Sequence, residues 1–249
     1  MHRLRDLPGV TRGLLVTIVA VFAAQQVIAL LLGGDIVGFV GRKDNAAIAA
    51  GQWWRLVTPM FLHVDALHLL FNGYALYVLG PQIETAFGTA RMLAVYLLSG
   101  AAGTVVSFVL SPHPAVGASG AIFGLFGALA VHLYRHRALL GPAGRDVLRQ
   151  LAVVAAINLV ISLSPGIDGW GHLGGVVCGA LLAALIGPRL VLGYGPIGSE
   201  WGGAVSAHPT GLRRILADTH PAAARDWWIV LAVAAGLVAA VAAEIGWGG

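Results

Sequence analysis

Ser119 lies in "GASGAIFGLFG", His172 lies in "DGWGHLGG", and His68 and Asn72 stand four residues apart in "HLLFN". A hydroxyl, an imidazole and a small set of hydrogen-bond donors suit one reaction class, acyl transfer. That chemistry needs a nucleophile, a base to take its proton, and donors aimed at the oxyanion. In this pattern Ser119 supplies the nucleophile and His172 the base. His68 and Asn72, with the Ser119 backbone N–H at a helix start, supply the oxyanion donors. A positioned base contributes about 10²- to 10⁴-fold, and one oxyanion donor about 2.7–4 kcal/mol. Singly, each signal is weak, because a serine within a membrane helix is more often a packing residue. "GASGA" is also not a nucleophile elbow, since that motif requires glycine where Ala121 stands. The conjunction of the four residues carries the weight.

The elements that must position them are membrane helices. Of 249 residues, 58% are hydrophobic and 10% charged, against about a quarter charged in soluble domains. Apolar runs of sufficient length predict seven spans: Gly13–Leu32, Leu67–Ile83, Met92–Leu110, Ala118–Tyr134, Val147–Leu163, Gly171–Leu190 and Trp227–Ala243. The class is an all-α polytopic membrane protein, because only helices or closed barrels satisfy their backbone in lipid and these runs do not alternate. With a cytoplasmic N-terminus, twelve arginines fall on the cytoplasmic side, against Arg42, Lys43 and Arg55 outside. The net charge of +4 is then explained by basic loops meeting anionic lipid, with no pattern for nucleic acid.

This topology starts spans two, four and six on one side of the membrane. His68, Asn72, Ser119 and His172 therefore converge at one depth, although the charge rule did not use them. Gly175, Gly179 and Ala183 follow His172 at intervals of three and four, and Gly120, Gly124 and Gly127 form a matching seam after Ser119. Two such seams let helices approach closely. Gly117 and Gly120 are expected to support the serine. Phe123, one turn after Ser119, is either core filler or a plate for the His172 ring. Asp168 precedes the base without a clear role, so a dyad is expected rather than a triad. His63, Trp54 and Arg55 are expected to fix the outer loop Gly33–Ala66, with Trp53 and Trp54 at headgroup level, and Glu84 to be a helix-end acid at the cytoplasmic surface. Cys178, the single cysteine, is expected to be a packing residue.

Competing chemistries lack their residues. There is no H-E-x-x-H helix for a metal, and no aspartate lies inside a span to form an intramembrane acid pair. The expected organisation is a six-helix core over residues 1–192, a cytoplasmic linker over 193–226, and a seventh transmembrane helix with its tail over 227–249.

From Gln52 to Leu185 the chain resembles the rhomboid intramembrane serine proteases. The resemblance rests on "WWRLVTPMFLHVDALHLLFNGYALYVLGPQIETAFG", "GASGAIFGLFGAL" and "DGWGHLGGVVCGALLAAL" in order and spacing. It implies a rhomboid-like six-helix bundle, with one C-terminal transmembrane helix added here, in which Ser119 heads its helix below a water-filled cavity. It also implies peptide-bond hydrolysis in or near the transmembrane helix of membrane-protein substrates, with Ser119 as nucleophile, His172 as base, and His68 and Asn72 at the oxyanion. No cofactor or metal is implied. The family often has tyrosine at the place of Phe123 and D-N-W-A-H where this chain has "DGWGH", leaving Gly169 and Gly171 to loosen the approach to the base. The alternative is a catalytically silent relative that binds and escorts membrane proteins. The Ala- and Gly-rich composition and absence of organelle targeting point to a bacterial plasma membrane, with the active site extracytoplasmic. Substrate identity and oligomeric state are not legible.

Overall fold

The computed structural model describes residues 4–162, 164–196, 212–219 and 224–247. In chain order the helices are α1 (Gly9–Leu32), α2 (Ile36–Gly41), α3 (Asn45–Ala49), α4 (Ala66–Phe87), α5 (Thr89–Leu110), α6 (Ser119–Arg135), α7 (Arg137–Ile161), α8 (Gly169–Ile186) and α9 (Ala224–Trp247). Strands β1 (Leu190–Pro196) and β2 (Leu212–Asp218) lie between α8 and α9. Among the described residues each of the seven predicted spans overlaps one long helix, α1, α4, α5, α6, α7, α8 or α9. Four of these, α1, α5, α8 and the segment Asp226–Gly246 of α9, are long and apolar enough to cross a membrane. The protein is a multi-pass, helical membrane protein.

Helices α5, α6 and α8 pack mutually at the centre, α1 lies on α4, α7 on α6, and α9 on α5. The fully buried side chains Ile18, Leu76, Ile83, Met92, Tyr96 and Leu125 join them in one core. The tightest contact is the predicted glycine seam. A Cβ on Gly175 would collide with the Gly120 carbonyl and one on Gly179 with the Gly124 carbonyl, so α6 and α8 touch backbone to backbone. Such contact replaces the hydrophobic drive that helices lack within lipid.

Several elements depart from the sequence-based reading. The sixth span ends at Ile186 rather than Leu190, because Gly187 and Pro188 turn the chain into β1. The antiparallel pair β1–β2, with Leu192 opposite Leu216, begins in the last residues of the predicted core and runs into the linker expected before the seventh helix. The linker's remaining parts, 197–211 and 220–223, lie outside the described residues. The fifth helix begins ten residues earlier than expected, at Arg137, and breaks at Gly141, where φ is 63° and Pro142 follows. The Gly33–Ala66 connection is no simple loop. Asp35 and Asp44 cap α2 and α3 through the N–H groups of Gly38 and Ala47, the usual way a carboxylate satisfies a free helix end. As expected, Arg55 fixes this region, donating to the carbonyls of Phe39 and Arg42 at 2.8 Å each.

Glu84 is not a surface acid. It is buried and accepts from the N–H groups of Val10 and Thr11 at 2.9 and 2.7 Å, and from the Thr11 hydroxyl at 2.8 Å. It thus caps α1 from across the bundle, where unpaired N–H groups would otherwise be stranded.

The seventh helix is docked near both of its ends. At its start, buried Asp226 pairs with Arg91 of α5 at 3.3 Å, and the same guanidinium pairs with Asp218 of β2 at 3.0 Å. Near its end, Val241 packs in a cluster with Ile48, Leu56, Val105 and Phe108. His136 Nε2, just past α6, accepts from the Leu190 N–H at 3.0 Å and holds the strand pair at the pole where Arg91 meets Asp218 and Asp226.

Candidate active site

Helices α4, α6 and α8 all begin at one pole, and the residues singled out in the sequence lie at those beginnings. Asp65 caps α4 by accepting from the His68 N–H at 2.8 Å, and Asp168 caps α8 by accepting from the Gly171 N–H at 3.0 Å. Asp168 therefore serves the helix terminus and makes no hydrogen bond to the His172 ring. Ser119 is the first residue of α6 and follows Ala118, which supplies no side-chain cap. Its N–H accordingly has no intrahelical acceptor.

The extended segment that delivers Ser119 is held from outside the bundle. Lys43 and Ala115 exchange backbone hydrogen bonds at 2.9 and 3.3 Å, and the Gly117 N–H donates to the Pro59 carbonyl at 2.9 Å. Lys43 is fully buried, and its ammonium donates to the Ser111 and His113 carbonyls at 2.5 and 2.8 Å. Burial pushes this amine below its ordinary range, and the charges of Asp168 and Asp44 oppose that shift. On the other flank Gln25 of α1 brackets His63, donating to its carbonyl and accepting from its N–H, both at 3.2 Å.

His172 Nε2 lies 2.8 Å from Ser119 Oγ. The ring of Phe123 stacks on the imidazole, with centroids 4.3 Å apart and planes 20° from parallel. The other ring nitrogen, Nδ1, lies 2.7 Å from Ser162 Oγ at the end of α7. Behind the base, Gly171 packs so closely that a Cβ on Gly103 would lie 2.5 Å from its carbonyl and one on Gly120 3.3 Å from it. The Gly171 carbonyl is thus seated where Gly103 and Gly120 leave room for it.

Gly117 has φ of 131°, a conformation that favours glycine. A Cβ there would lie 2.8 Å from His68 Nε2 and 3.6 Å from Ser119 Oγ. Glycine at 117 thus leaves room for the His68 ring to come up beside the segment that delivers Ser119. His68 packs edge-on against His63, with centroids 5.1 Å apart. Asn72, one turn further along α4, is buried, and its Nδ2 has no hydrogen-bond partner. It does not bond Ser119 or His172. A cavity of about 30 Å³, lined by Ser119, His172, Gly117, Lys43 and Asp168 among others, opens over the pair. It is large enough to admit water. Among the described residues no cluster of three metal-ligating side chains is present.

Sequence reasoning missed Ser162, Lys43 and Gln25. Lys43 was counted only as an outer charge, and nothing in the types of Ser162 and Gln25 marks their long-range partners.

A helical membrane bundle with a serine–histidine pair at one pole defines the class, and comparison with known proteins places the chain within it. The rhomboid-domain family model matches residues 50–189. Over 182 residues the chain is 40% identical to rhomboid protease GluP of Bacillus subtilis (strain 168), covering 69% of this chain and 35% of that protein. It is 34% identical over 161 residues to RHOMBOID-like protein 9, chloroplastic, of Arabidopsis thaliana, covering 64% and 37%. The chain thus spans little more than a third of the length of these two relatives. It belongs to the rhomboid family.

Proposed function

We propose that the protein is an intramembrane serine endopeptidase that hydrolyses peptide bonds in or near the transmembrane helix of membrane-protein substrates. The observation that carries this reading is the 2.8 Å contact between His172 Nε2 and Ser119 Oγ. Ser119 Oγ attacks the scissile carbonyl as its proton passes to His172 Nε2. The oxyanion develops toward His68 and the Ser119 N–H, with Asn72 supporting from the next turn of α4. His172 then returns its proton to the leaving amine, leaving an acyl-enzyme. A water in the cavity, activated by the same imidazole, hydrolyses that ester. Membership of the rhomboid family, which includes the named protease GluP, supports this assignment.

The proposed setting is a bacterial plasma membrane, with the N-terminus cytoplasmic and the Ser119 pole extracytoplasmic. The twelve-to-three distribution of basic residues supports this orientation. The proposed division is a core of 1–192, a linker of 193–226, and a seventh helix with its tail over 227–249, and the packing of α9 on the core accompanies it.

The test is labelling of the purified full chain in lipid with a serine-reactive fluorophosphonate. Wild type labels, and both Ser119→Ala and His172→Ala abolish labelling while remaining folded. Asn72→Ala slows it. Wild type that stays unlabelled when well folded in lipid would overturn the reading in favour of a silent binding protein.

A further inference from the structure

We propose that Ser162 is a positioning residue for the base, its hydroxyl accepting the Nδ1–H of His172 so that the Nε2 lone pair faces Ser119. The proposal rests on the assignment of His172 as the base and adds a third residue to the pair.

The geometry is a chain of three side chains from three helices. Ser119 Oγ of α6 lies 2.8 Å from Nε2, and Ser162 Oγ, at the end of α7, lies 2.7 Å from Nδ1 of the same ring on α8. A ring that takes a proton at Nε2 must carry its own on Nδ1, and the partner of Nδ1 decides which tautomer is held. Asp168, the carboxylate lining the cavity, is committed to the Gly171 N–H. The Ser162 hydroxyl occupies the orienting position instead.

Stacking alone would not suffice. Phe123 holds the plane of the imidazole but permits a half-turn flip about the Cβ–Cγ bond, which keeps that plane and carries Nε2 away from Ser119. Bonds at both nitrogens remove this freedom. Ser162 is itself fixed, since its N–H donates to the Asn158 carbonyl at 2.8 Å. Its own carbonyl meets the start of α8 so closely that a Cβ on Gly169 would lie 2.8 Å from that oxygen. Glycine at 169 is what allows the end of α7 to reach the base.

The proton balance involves no transfer to Ser162. As the Ser119 Oγ–carbon bond forms, the Oγ–H bond breaks and its proton moves to Nε2. The Nδ1 proton stays on Nδ1 throughout, donating to Ser162 Oγ, and the Nε2 proton then leaves with the amine. A hydroxyl carries no charge to balance the imidazolium, so the effect expected is that of one neutral hydrogen bond, roughly three- to tenfold.

The experiment measures fluorophosphonate labelling of the full chain in lipid, separating the maximal rate from the half-saturating probe concentration. It is paired with ¹⁵N NMR of the His172 ring. Ser162→Ala is expected to lower the maximal rate roughly three- to tenfold at unchanged half-saturation. The ring then passes from a single Nδ1–H tautomer to a mixture. Ser162→Thr restores both readouts, and Gly169→Ala, which keeps the hydroxyl but displaces it, reproduces the alanine effect. A Ser162→Ala protein with wild-type rate and tautomer overturns the proposal, as does a threonine variant no better than alanine. If wild type fails to label, the protease reading falls, and the tautomer comparison still decides the Ser162 contact.

Discussion

The ring of Phe123 lies over the imidazole of His172, 4.3 Å between centroids, and it stands one helical turn from the serine that the same imidazole contacts. Nucleophile and stacking plate therefore ride on one helix, and moving either moves both. An aromatic pair of this kind is worth about 0.5–1.5 kcal/mol beyond buried area. Phe123→Ala should lower the fluorophosphonate labelling rate by roughly two- to twelvefold. Phe123→Tyr keeps the face and should label like wild type. Equal loss in both variants would show that the ring acts by bulk and not by stacking.

The seam between α6 and α8 predicts a sharp contrast among glycines. A side chain at Gly179 is driven into the Gly124 carbonyl, whereas Gly236 of α9 has nothing within 4 Å of its missing Cβ. Gly179→Val should destabilise the protein by about 1–3 kcal/mol or more and reduce labelling by parting base from nucleophile. Gly236→Ala should leave both unchanged. Thermal unfolding in detergent and labelling in lipid distinguish the two.

His63 gives the outer loop an acid sensitivity. Its ring is fully buried, and desolvation, reinforced by the neighbouring His68, pushes it from 6.5 down to about 4. Between these values the unfolded chain binds a proton that the folded chain refuses, so stability falls as pH drops. The contribution is intact above about 6.5 and is lost progressively as pH falls through about 4. Unfolding temperatures at pH 7.0 and 4.5, compared between wild type and His63→Phe, should show the smaller acid loss in the variant. Equal losses would place the acid sensitivity elsewhere.

Arg91 should govern whether the seventh helix stays docked. Its guanidinium reaches Asp218 and Asp226 with nearly all of its side chain buried. Removing one partner of a buried pair typically costs about 3–5 kcal/mol, because a buried charge loses its nearest opposite charge. Arg91→Ala should therefore increase amide exchange along α9 while α6 and α8 stay protected. Unchanged exchange in α9 would mean that apolar contacts such as Val241 with Phe108 suffice.

Much of the candidate site was legible because its signals are periodic and local. Helical spacing placed His68 above Asn72 and Phe123 near Ser119, and the small-residue intervals announced the seam joining α6 to α8. What stayed hidden depends on partners distant in sequence. Glu84 lies some seventy residues from the N–H groups it caps. Ser162 becomes meaningful only once the break at Gly141 and the cap at Asp168 set where α7 ends and α8 begins. The β1–β2 pair was hidden for a different reason: a linker rich in glycine and proline gives little pattern, and its pairing depends on His136 and Arg91 from the core.

The backbone contact between α6 and α8 also bears on how the protein tolerates its solvent. Bilayers differ in thickness by several ångströms, and helices answer mismatch by tilting. Two helices on which the carbonyls of Gly120 and Gly124 abut the side-chain-free faces of Gly175 and Gly179 cannot tilt independently. They tilt as one body. The spacing of Ser119 and His172 is thus insulated from hydrophobic mismatch, and thin or thick membranes change the depth at which the pair sits without changing the distance between its members.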